Sequence, residues 1–308
     1  MPPFLNCPAC KEGFTLRDDL TLAYFRNENI GCGKCRQPMD WWKLILNTIQ
    51  ENFMSTFAYM AIGAKSLAMN IALVPHRKTI IRFADYGLPC DAKILQIQYT
   101  SIGSAHNCLF PLEVHGNSPI RHIIPNIIAL YPISLEDDSY PQTGNEASIF
   151  VTWVAHTPDD ELWEYLVTAF EAFAQNRFNA ILIPSNIAVE SKLTRLIAQF
   201  FEKFANKDSV KKFLSEGAVY SYQLNVLLPM IISLKGLPNL QDHIRGHLNR
   251  LRKLRNQLAH DGKLKEPLAK NEAAEMLCAA LFGFRYLKFI SDELFAPSTE
   301  QEKLPAAQ

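Results

Sequence analysis

Long apolar runs and net charge are both missing from this sequence. None of its 308 residues lies in a run of the roughly 18 apolar residues that cross a membrane, and its first residues lack the basic and then apolar pattern of a secretion signal. Its 31 basic residues balance its 31 acidic ones, so any surface for nucleic acid must be local. We therefore expect a soluble, cytoplasmic protein without a membrane segment.

Length and composition leave room for several hydrophobic cores. At about 100–200 residues per domain the chain accommodates two or three domains, and its 48% of apolar residues allows each to bury a core. We predict a multidomain α+β protein. Its parts are a zinc ribbon (1–39), a connecting helix with a β-rich, sandwich- or barrel-like domain (40–156), an all-α bundle (157–296) and a disordered tail (297–308).

Cysteine is scarce and unevenly distributed. Three of the seven cysteines are isolated, whereas the other four form two C-x-x-C pairs, Cys7/Cys10 and Cys32/Cys35. Two such pairs complete a tetrahedral zinc site without an open position, which predicts structural Zn²⁺ and no catalytic metal. We expect strands or turns between the pairs. Balanced charge in this segment favours a folding or protein-contact role over nucleic-acid binding.

The middle of the chain has the pattern of a β-rich domain. A short amphipathic helix is expected first, at 40–53, with Asp40 as its N-cap. Short apolar runs separated by turn signals then predict antiparallel strands, at 57–62, 67–74, 79–84, 94–102, 109–114 and 149–154. No catalytic set is predicted here, because the histidines are scattered without carboxylates at ligand spacing. They are His106, His115, His122 and His156.

From residue 157 onward the apolar spacing is helical. The pattern predicts helices separated by short breaks, at 157–176, 185–205, 209–216, 219–235, 240–260 and 270–295. Such a series is typical of an all-α bundle. In the helix at 240–260 one apolar face is expected to be buried, formed by Ile244, Leu248, Leu251, Leu254 and Leu258.

The other faces of that helix are basic, with Asp242 as their one acidic residue. A basic run often marks a solvent-exposed face and nothing more. At about 100° per residue, however, Arg252, Asn256 and His260 share one face, and Arg255 lies beside it. His260 is the last residue before Asp-Gly ends the helix, where the helix C-terminus favours an imidazolium.

The segment 255–260, RNQLAH, resembles the R-x(4–6)-H motif of the HEPN (higher eukaryote and prokaryote nucleotide-binding) superfamily. The resemblance covers the predicted bundle, with the motif on a late helix that ends at the histidine. It implies a metal-independent endoribonuclease that acts as a homodimer, with the motifs of both protomers facing one cleft. Arg255, Asn256 and His260 take the motif positions, and Glu190 is a weaker candidate for a further polar residue of the cleft.

These residue types suit the cleavage of RNA, which carries its own nucleophile in the 2′-hydroxyl. His260 could move protons at neutral pH, and Arg255 could bind the non-bridging phosphate oxygens. Asn256 could orient the imidazole or a phosphate. The expected products carry a 2′,3′-cyclic phosphate and a 5′-hydroxyl.

One motif per chain supplies one histidine, so separate acid and base groups predict a homodimer. The basic residues of the same helix are the candidate RNA-binding surface, namely Arg250, Arg252, Lys253 and His247. Joined to two domains without evident catalysis, such a nuclease would suit a regulated toxin or phage-defence effector. A regulatory ligand or an antitoxin partner would then restrain it.

Two other interpretations remain open. His243 and His247 are four residues apart and could bind a metal, but no third ligand is evident nearby. The alternative of a different class is a non-catalytic HEPN-like protein that binds nucleotide or RNA, or acts as an adaptor. In that protein the basic helix is a structural dimer seam, and the ribbon and strands recognise a partner.

Overall fold

The computed structural model describes residues 5–14, 18–51, 65–74, 77–90, 92–102, 107–111, 127–134, 145–154 and 161–296. Contacts divide the chain into two compact units, one of Met1–Met54 with Thr168–Gln308 and one of Ser55–Val167. Strands occupy the middle of the chain and helices its C-terminal part, which confirms the mixed class. The N-terminal segment groups with the C-terminal helices although the strands follow it in sequence.

The first unit begins with a small hairpin and two helices. They are β1 (Leu5–Asn6) paired with β2 (Gly13–Phe14), then α1 (Asp18–Phe25) and α2 (Trp41–Gln50). The Asp40 side chain accepts a hydrogen bond from the Lys43 N–H at 3.0 Å, so the predicted N-cap of α2 is confirmed. α1 corrects the expectation of strands or turns between the cysteine pairs: Thr21 and Phe25, one helical turn apart, are both buried.

The second unit contains two antiparallel sheets. In chain order the strands are β3 (Lys65–Leu73), β4 (Thr79–Arg82), β5 (Lys93–Ile102), β6 (Asn107–Pro111), β7 (Ile127–Ser134) and β8 (Asn145–Val154). β8 lies between β3 and β5 in one sheet, and β7 lies between β4 and β6 in the other. Met69, Ile71 and Leu73 alternate into a hydrophobic cluster that draws on both sheets. A closed barrel is not shown by the described strands.

The strand prediction needs two corrections. β7 is absent from it, and the proline inside this apolar run would itself argue against a strand. Pro132 is tolerated here since it pairs only with Leu109 of β6, while β4 pairs with residues 127–130. The predicted strand at 79–84 ends at Arg82, where a 3₁₀ turn (Phe83–Tyr86) leads into Gly87 at φ 90°. The predicted strand at 57–62 lies outside the described residues.

The C-terminal part of the chain is helical. In chain order the helices are α3 (Glu161–Ala174), α4 (Leu182–Phe201), α5 (Lys207–Lys212), α6 (Tyr220–Tyr222), α7 (Leu228–Lys235), α8 (Asp242–Asp261) and α9 (Lys270–Phe295). A π-helical turn follows α5 (Phe213–Gly217), and a second joins α6 to α7 (Gln223–Leu227). α9 has the predicted bounds, whereas α4 begins before the predicted position because Pro184 fits its first turn.

α9 is the central helix of this unit, with buried residues around its circumference. α8 approaches it closely at Gly283, where an added Cβ would lie 2.9 Å from Leu248 Cδ1. The Phe25 ring of α1 packs on α9 as well. Its centroid lies between 5.3 and 6.2 Å from those of Phe282, Tyr286 and Phe289. The N-terminal segment is therefore docked on the helix that also supports α8.

The predicted apolar face of α8 is only partly covered. Ile244, Leu248 and Leu251 are fully buried, whereas Leu254 and Leu258 are half-buried. The expectation of one continuous buried face is thus corrected for the last two turns, which carry the RNQLAH segment.

Among the described helices, no single one is long and apolar enough to cross a membrane. The bent pair Lys207–Gly217 and Tyr220–Lys235 meets the test by length and composition only.

Candidate functional site

Four cysteine thiols of the N-terminal segment lie together. Their Sγ atoms are all within 4.8 Å of one another, with 3.7 Å between Cys7 and Cys35 and between Cys10 and Cys32. Four thiolates bound tetrahedrally to zinc at about 2.3 Å would lie about 3.8 Å apart. The thiol positions are therefore compatible with a structural zinc site, as the sequence predicts.

The two cysteine pairs lie in similar backbone turns. The Lys11 N–H donates to the Cys7 carbonyl at 2.9 Å, and the Arg36 N–H donates to the Cys32 carbonyl at 2.9 Å. Lys11 and Arg36 have φ angles of 60° and 58°, in the left-handed region that reverses the chain. Repetition of one turn aims both pairs of sulfurs at a common point.

Backbone N–H groups favour the thiolate form of Cys32 and Cys7. At Cys35 the N–H of Gln37 acts in the same direction, but burial and the neighbouring thiols raise the pKa to about 12. N–H groups of Cys35 and Lys34 lower the pKa of the Cys32 thiol to about 6, and the N–H of Cys10 lowers the pKa of Cys7. A cysteine must be deprotonated to bind a metal. Among the described residues, these cysteines form the one group of three or more His, Cys, Asp or Glu placed to hold an ion.

α8 carries four arginines, and three of them have carboxylate partners. The partners are Asp242 for Arg245, Glu272 for Arg250 and Glu190 for Arg255. Arg252 and Lys253 make no hydrogen bond or ion pair with any residue that the structure describes. The predicted RNA-binding residues therefore divide into paired and unpaired ones.

The two histidines of α8 contact the N-terminal segment. The His247 ring stacks on Trp42 with 5.9 Å between centroids, and its Nδ1 lies 4.0 Å from Glu275. The His243 ring meets the edge of Trp42 at 4.8 Å, and its Nε2 shares a 3.1 Å hydrogen bond with the Tyr24 hydroxyl. Burial lowers the pKa of His243. No third metal ligand joins them among the described residues, so the two histidines support a docking contact.

Arg255 of the predicted motif meets Glu190 between α4 and α8, and its neighbour Asn256 bonds to Arg255. Arg255 Nη1 donates to Asn256 Oδ1 at 3.0 Å, and Arg255 Nη2 lies 3.7 Å from Glu190 Oε2. The side chains of Arg255 and Glu190 are 32% and 33% exposed, so the pair remains accessible to solvent. Glu190, the weaker candidate from sequence, is thus brought to the motif.

Helical spacing explains this contact. Arg255 follows the buried Leu248 and Leu251 by seven and four residues, so its side chain leaves α8 on the face that packs against the bundle. From sequence, Arg255 was expected only to lie beside the polar face of the helix. In the structure its side chain points toward the bundle.

His260 has a different environment from the other motif residues. It is exposed in the last turn of α8, which Gly262 ends at φ 68°. Five residues of helix separate it from Arg255, or about 140° around the axis. It makes no hydrogen bond or ion pair within the described ranges, including none to Arg255, Asn256 or Glu190. Its imidazole is therefore free to meet another molecule.

Two further residues near the motif were not predicted. Asn186 Nδ2 donates to Glu190 Oε2 at 2.7 Å, and its spacing of four residues from Glu190 is a signal that the sequence contains. Tyr220 is 6% exposed, and its hydroxyl has no hydrogen-bond partner in the described structure. Desolvation raises the pKa of Tyr220, with a further contribution from the Glu190 carboxylate. No sequence pattern indicates that Tyr220 lies near Glu190.

No protein-family model, no curated protein and no solved structure matches the chain. The HEPN resemblance consequently rests on the segment 255–260 and its helical setting alone.

Proposed function

We propose that this protein is a metal-independent endoribonuclease of the HEPN type, with Arg255, Asn256 and His260 in its active site. One arrangement carries the proposal. Arg255 meets Asn256 and Glu190 at a solvent-accessible position, and His260 is exposed and unpaired among the described residues at the end of the same helix. A cation for the phosphate and a free imidazole are the groups that this reaction requires.

The imidazole of His260 would take the proton of the 2′-hydroxyl, or supply a proton to the leaving 5′-oxygen. The 2′-oxygen attacks the adjacent phosphorus, the bond from phosphorus to the 5′-oxygen breaks, and a cyclic phosphate and a 5′-hydroxyl result. The Arg255 guanidinium would donate to the non-bridging oxygens as their charge grows. Asn256 and Glu190 would hold that guanidinium in place.

Two proton transfers require two groups, while each chain supplies one motif histidine. We infer a homodimer in which the C-terminal turns of two α8 helices face one cleft, so that one His260 acts as base and the other as acid. The half-buried Leu254 and Leu258 support this contact, because an apolar face near the motif would otherwise stay in water.

The same proposal assigns the four cysteines a structural zinc ion. Four thiolates leave no open coordination position, so the ion would stabilise the N-terminal fold and take no part in cleavage. Trp42, on the helix that follows the cysteines, packs on His243 and His247 of α8. Zinc would thus support the helix that carries the motif.

The cellular role we propose is that of a regulated toxin or phage-defence effector in the cytoplasm. Unrestrained cleavage of RNA harms the cell that makes the enzyme, so another module or partner has to control it. The β-rich domain is the candidate receiver of a regulatory ligand or an antitoxin.

Cleavage of labelled RNA by purified variants tests the nuclease. Arg255→Ala and His260→Ala should each lower the rate by roughly 10²–10⁴-fold, the range for the loss of an acid–base or charge-stabilising group. Arg245→Ala is the matched control, since Arg245 lies on the same helix and pairs with Asp242; its rate should stay at the wild-type level. Wild-type protein without cleavage, or variants that cleave at the wild-type rate, would reject the proposal.

A non-catalytic HEPN-like RNA-binding or adaptor protein is the second candidate. It is favoured by the contacts of Arg255, whose guanidinium already meets Asn256 and Glu190 and whose position lies far around the helix from His260. This function predicts RNA binding without cleavage at every protein concentration.

A further inference from the structure

Polar side chains of three helices converge beside the motif. They form what we call the three-helix polar cluster, namely Asn186 and Glu190 of α4, Tyr220 of α6, and Arg252 and Arg255 of α8. Glu190 contacts Asn186 at 2.7 Å and Arg255 at 3.7 Å. Burial raises the pKa of Tyr220; the Glu190 carboxylate raises that pKa further and the Arg252 guanidinium lowers it.

Hydrogen bonds about one helical turn away fix this convergence. Thr194 Oγ1 donates to Gln223 Oε1 at 2.9 Å, which holds α4 against the π-helical turn that follows Tyr220. The amides of Asn225 and Asn249 exchange two hydrogen bonds, at 3.0 and 3.1 Å, and hold the same turn against α8. Tyr220 therefore lies next to a segment that hydrogen bonds hold against both α4 and α8.

The cluster contains buried polar atoms without partners. The Tyr220 hydroxyl, Arg252 Nε and Asn186 Oδ1 are each buried and make no hydrogen bond in the described structure. Buried polar groups are nearly always hydrogen-bonded, because leaving one unpaired costs free energy. Such atoms in one cluster therefore indicate that something else bonds to them.

The charges of the cluster indicate what this ligand is. Glu190 is matched by Arg255, whereas the Arg252 guanidinium makes no ion pair among the described residues. A buried water would accept from the Tyr220 O–H and Arg252 Nε–H donors but carries no charge, whereas the partly exposed Arg252 guanidinium has no counter-ion among the described residues. A phosphate oxygen accepts from both donors and matches the charge.

We propose that Tyr220 and Arg252 bind one phosphate group of an RNA strand, beside the Glu190–Arg255 pair. The site rests on the proposed function in taking RNA as its ligand, and it adds a phosphate contact next to the one at which cleavage occurs. Asn186 Oδ1 and the Glu190 carboxylate are acceptors in the same cluster, suited to hydroxyl or amino hydrogens of the same strand.

Binding of a strand that cannot be cleaved tests the site. The probe is fluorescein-labelled single-stranded RNA with 2′-O-methyl riboses, and the readouts are its Kd by anisotropy and the protein's Tm. Tyr220→Phe should weaken binding roughly 10- to 150-fold, as the loss of one hydrogen bond to a charged group does, while the Tm stays equal or rises. Arg252→Gln should weaken binding further and reduce the salt dependence by about one phosphate contact.

Tyr286→Phe is the matched control, because Tyr286 is also buried but its hydroxyl donates to the Pro238 carbonyl at 2.6 Å. Its Tm should fall, and its Kd for the RNA should stay at the wild-type value. A Tyr220→Phe protein with a lower Tm and unchanged Kd would identify a purely structural hydroxyl and overturn the site. Unchanged binding by Arg252→Gln would overturn it as well.

A second arm titrates inorganic phosphate in the absence of RNA. If phosphate raises the Tm of the wild type and not of Tyr220→Phe, while RNA binding is the same for both, the ligand is a free phosphate and the RNA assignment is overturned. These experiments distinguish failure of the phosphate site from failure of the proposed nuclease. If Tyr220→Phe weakens binding although the wild-type protein never cleaves RNA, this site is supported and the cleavage is rejected. If the wild-type protein cleaves RNA and Tyr220→Phe binds it as tightly as the wild type, only this site is rejected.

Discussion

Arg250 and Arg255 lie on the same helix but meet different neighbours. Arg250 pairs with Glu272 of α9, so its charge serves the contact between two helices. Arg255 meets Glu190 at 3.7 Å in a pair that is about one-third exposed, and exposed pairs of this kind contribute only about 0–1 kcal/mol to stability. Loss of Arg255 should therefore affect cleavage far more than folding. Among the predicted RNA-binding residues, Arg252 and Lys253 are those free of such partners in the described structure.

His243 makes the docking of the N-terminal segment sensitive to pH. Burial, and next the charge of His247, lower the pKa of His243, against the opposing effect of Asp40 and Asp242. Below about pH 6.5 the unfolded chain binds a proton that folded His243 resists. Stability should therefore be complete above pH 6.5 and decline as the pH falls toward the folded pKa.

Urea unfolding at pH 7.5 and pH 5, followed by tryptophan fluorescence, measures this effect. His243→Gln should show a smaller loss of stability between the two pH values than the wild type. An equal loss in both proteins would assign the acid sensitivity to other groups.

At the scale of elements, apolar periodicity was enough to predict α9 at its observed bounds and α8 within two residues. Cysteine spacing likewise predicted the cluster of thiols. Both signals are local, since the residues that determine them are close in sequence.

The features that sequence missed depend on distant neighbours. Pro132 fits β7 because of which strand lies on each side of it. The contact between Arg255 and Glu190 depends on how α4 packs against α8, and Tyr220 comes near Glu190 through a helix interrupted by a π-helical turn. Contacts of this kind, between residues distant in sequence, produce no periodic pattern from which they could be predicted.

The N-cap of α2 should contribute measurably to the N-terminal fold. Asp40→Ala removes the acceptor for the Lys43 N–H and should lower the free energy of unfolding by about 1 kcal/mol. Glu51→Ala, at the other end of the same helix, is the control and should change it by less than about 0.5 kcal/mol. Equal effects of the two substitutions in urea would show that the cap does not stabilise α2.

For the whole molecule, the N-terminal segment and the C-terminal helices form one unit. Arg26 bonds to Glu293 at 3.0 Å, and the Gln241 side chain donates to the Tyr24 carbonyl at 2.9 Å. Together with the ring contacts of Phe25 and Trp42, these bonds link the cysteine cluster to α8 and α9. A change at the cysteine cluster should therefore affect the packing of the bundle.

Cys32→Ser should remove bound zinc and undock α2. Structural zinc sites contribute roughly 10–16 kcal/mol of apparent binding free energy, more than such a small segment can replace. We expect zinc loss by elemental analysis, a red-shifted tryptophan emission and a lower Tm, with Cys90→Ser as a control outside the cluster. Full retention of the Tm without zinc would contradict a structural role for the ion.

Subunit mixing tests whether the active site is shared between two protomers. Wild-type protein exchanged with an excess of His260→Ala should lose most of its activity per wild-type chain, because mixed dimers hold one histidine of the required pair. Arg245→Ala in the same excess should leave that activity unchanged. Activity that stays proportional to the wild-type chain in both mixtures would place a complete site in each protomer.

RNA cleavage by the wild-type protein in excess EDTA, with analysis of the product ends, tests the proposed metal-independent nuclease most directly. We predict that cleavage persists, that zinc stays bound to the protein during the assay, and that the fragments carry 2′,3′-cyclic phosphate and 5′-hydroxyl ends. Cleavage that stops in EDTA while zinc remains bound, or fragments with 5′-phosphate ends, would contradict it.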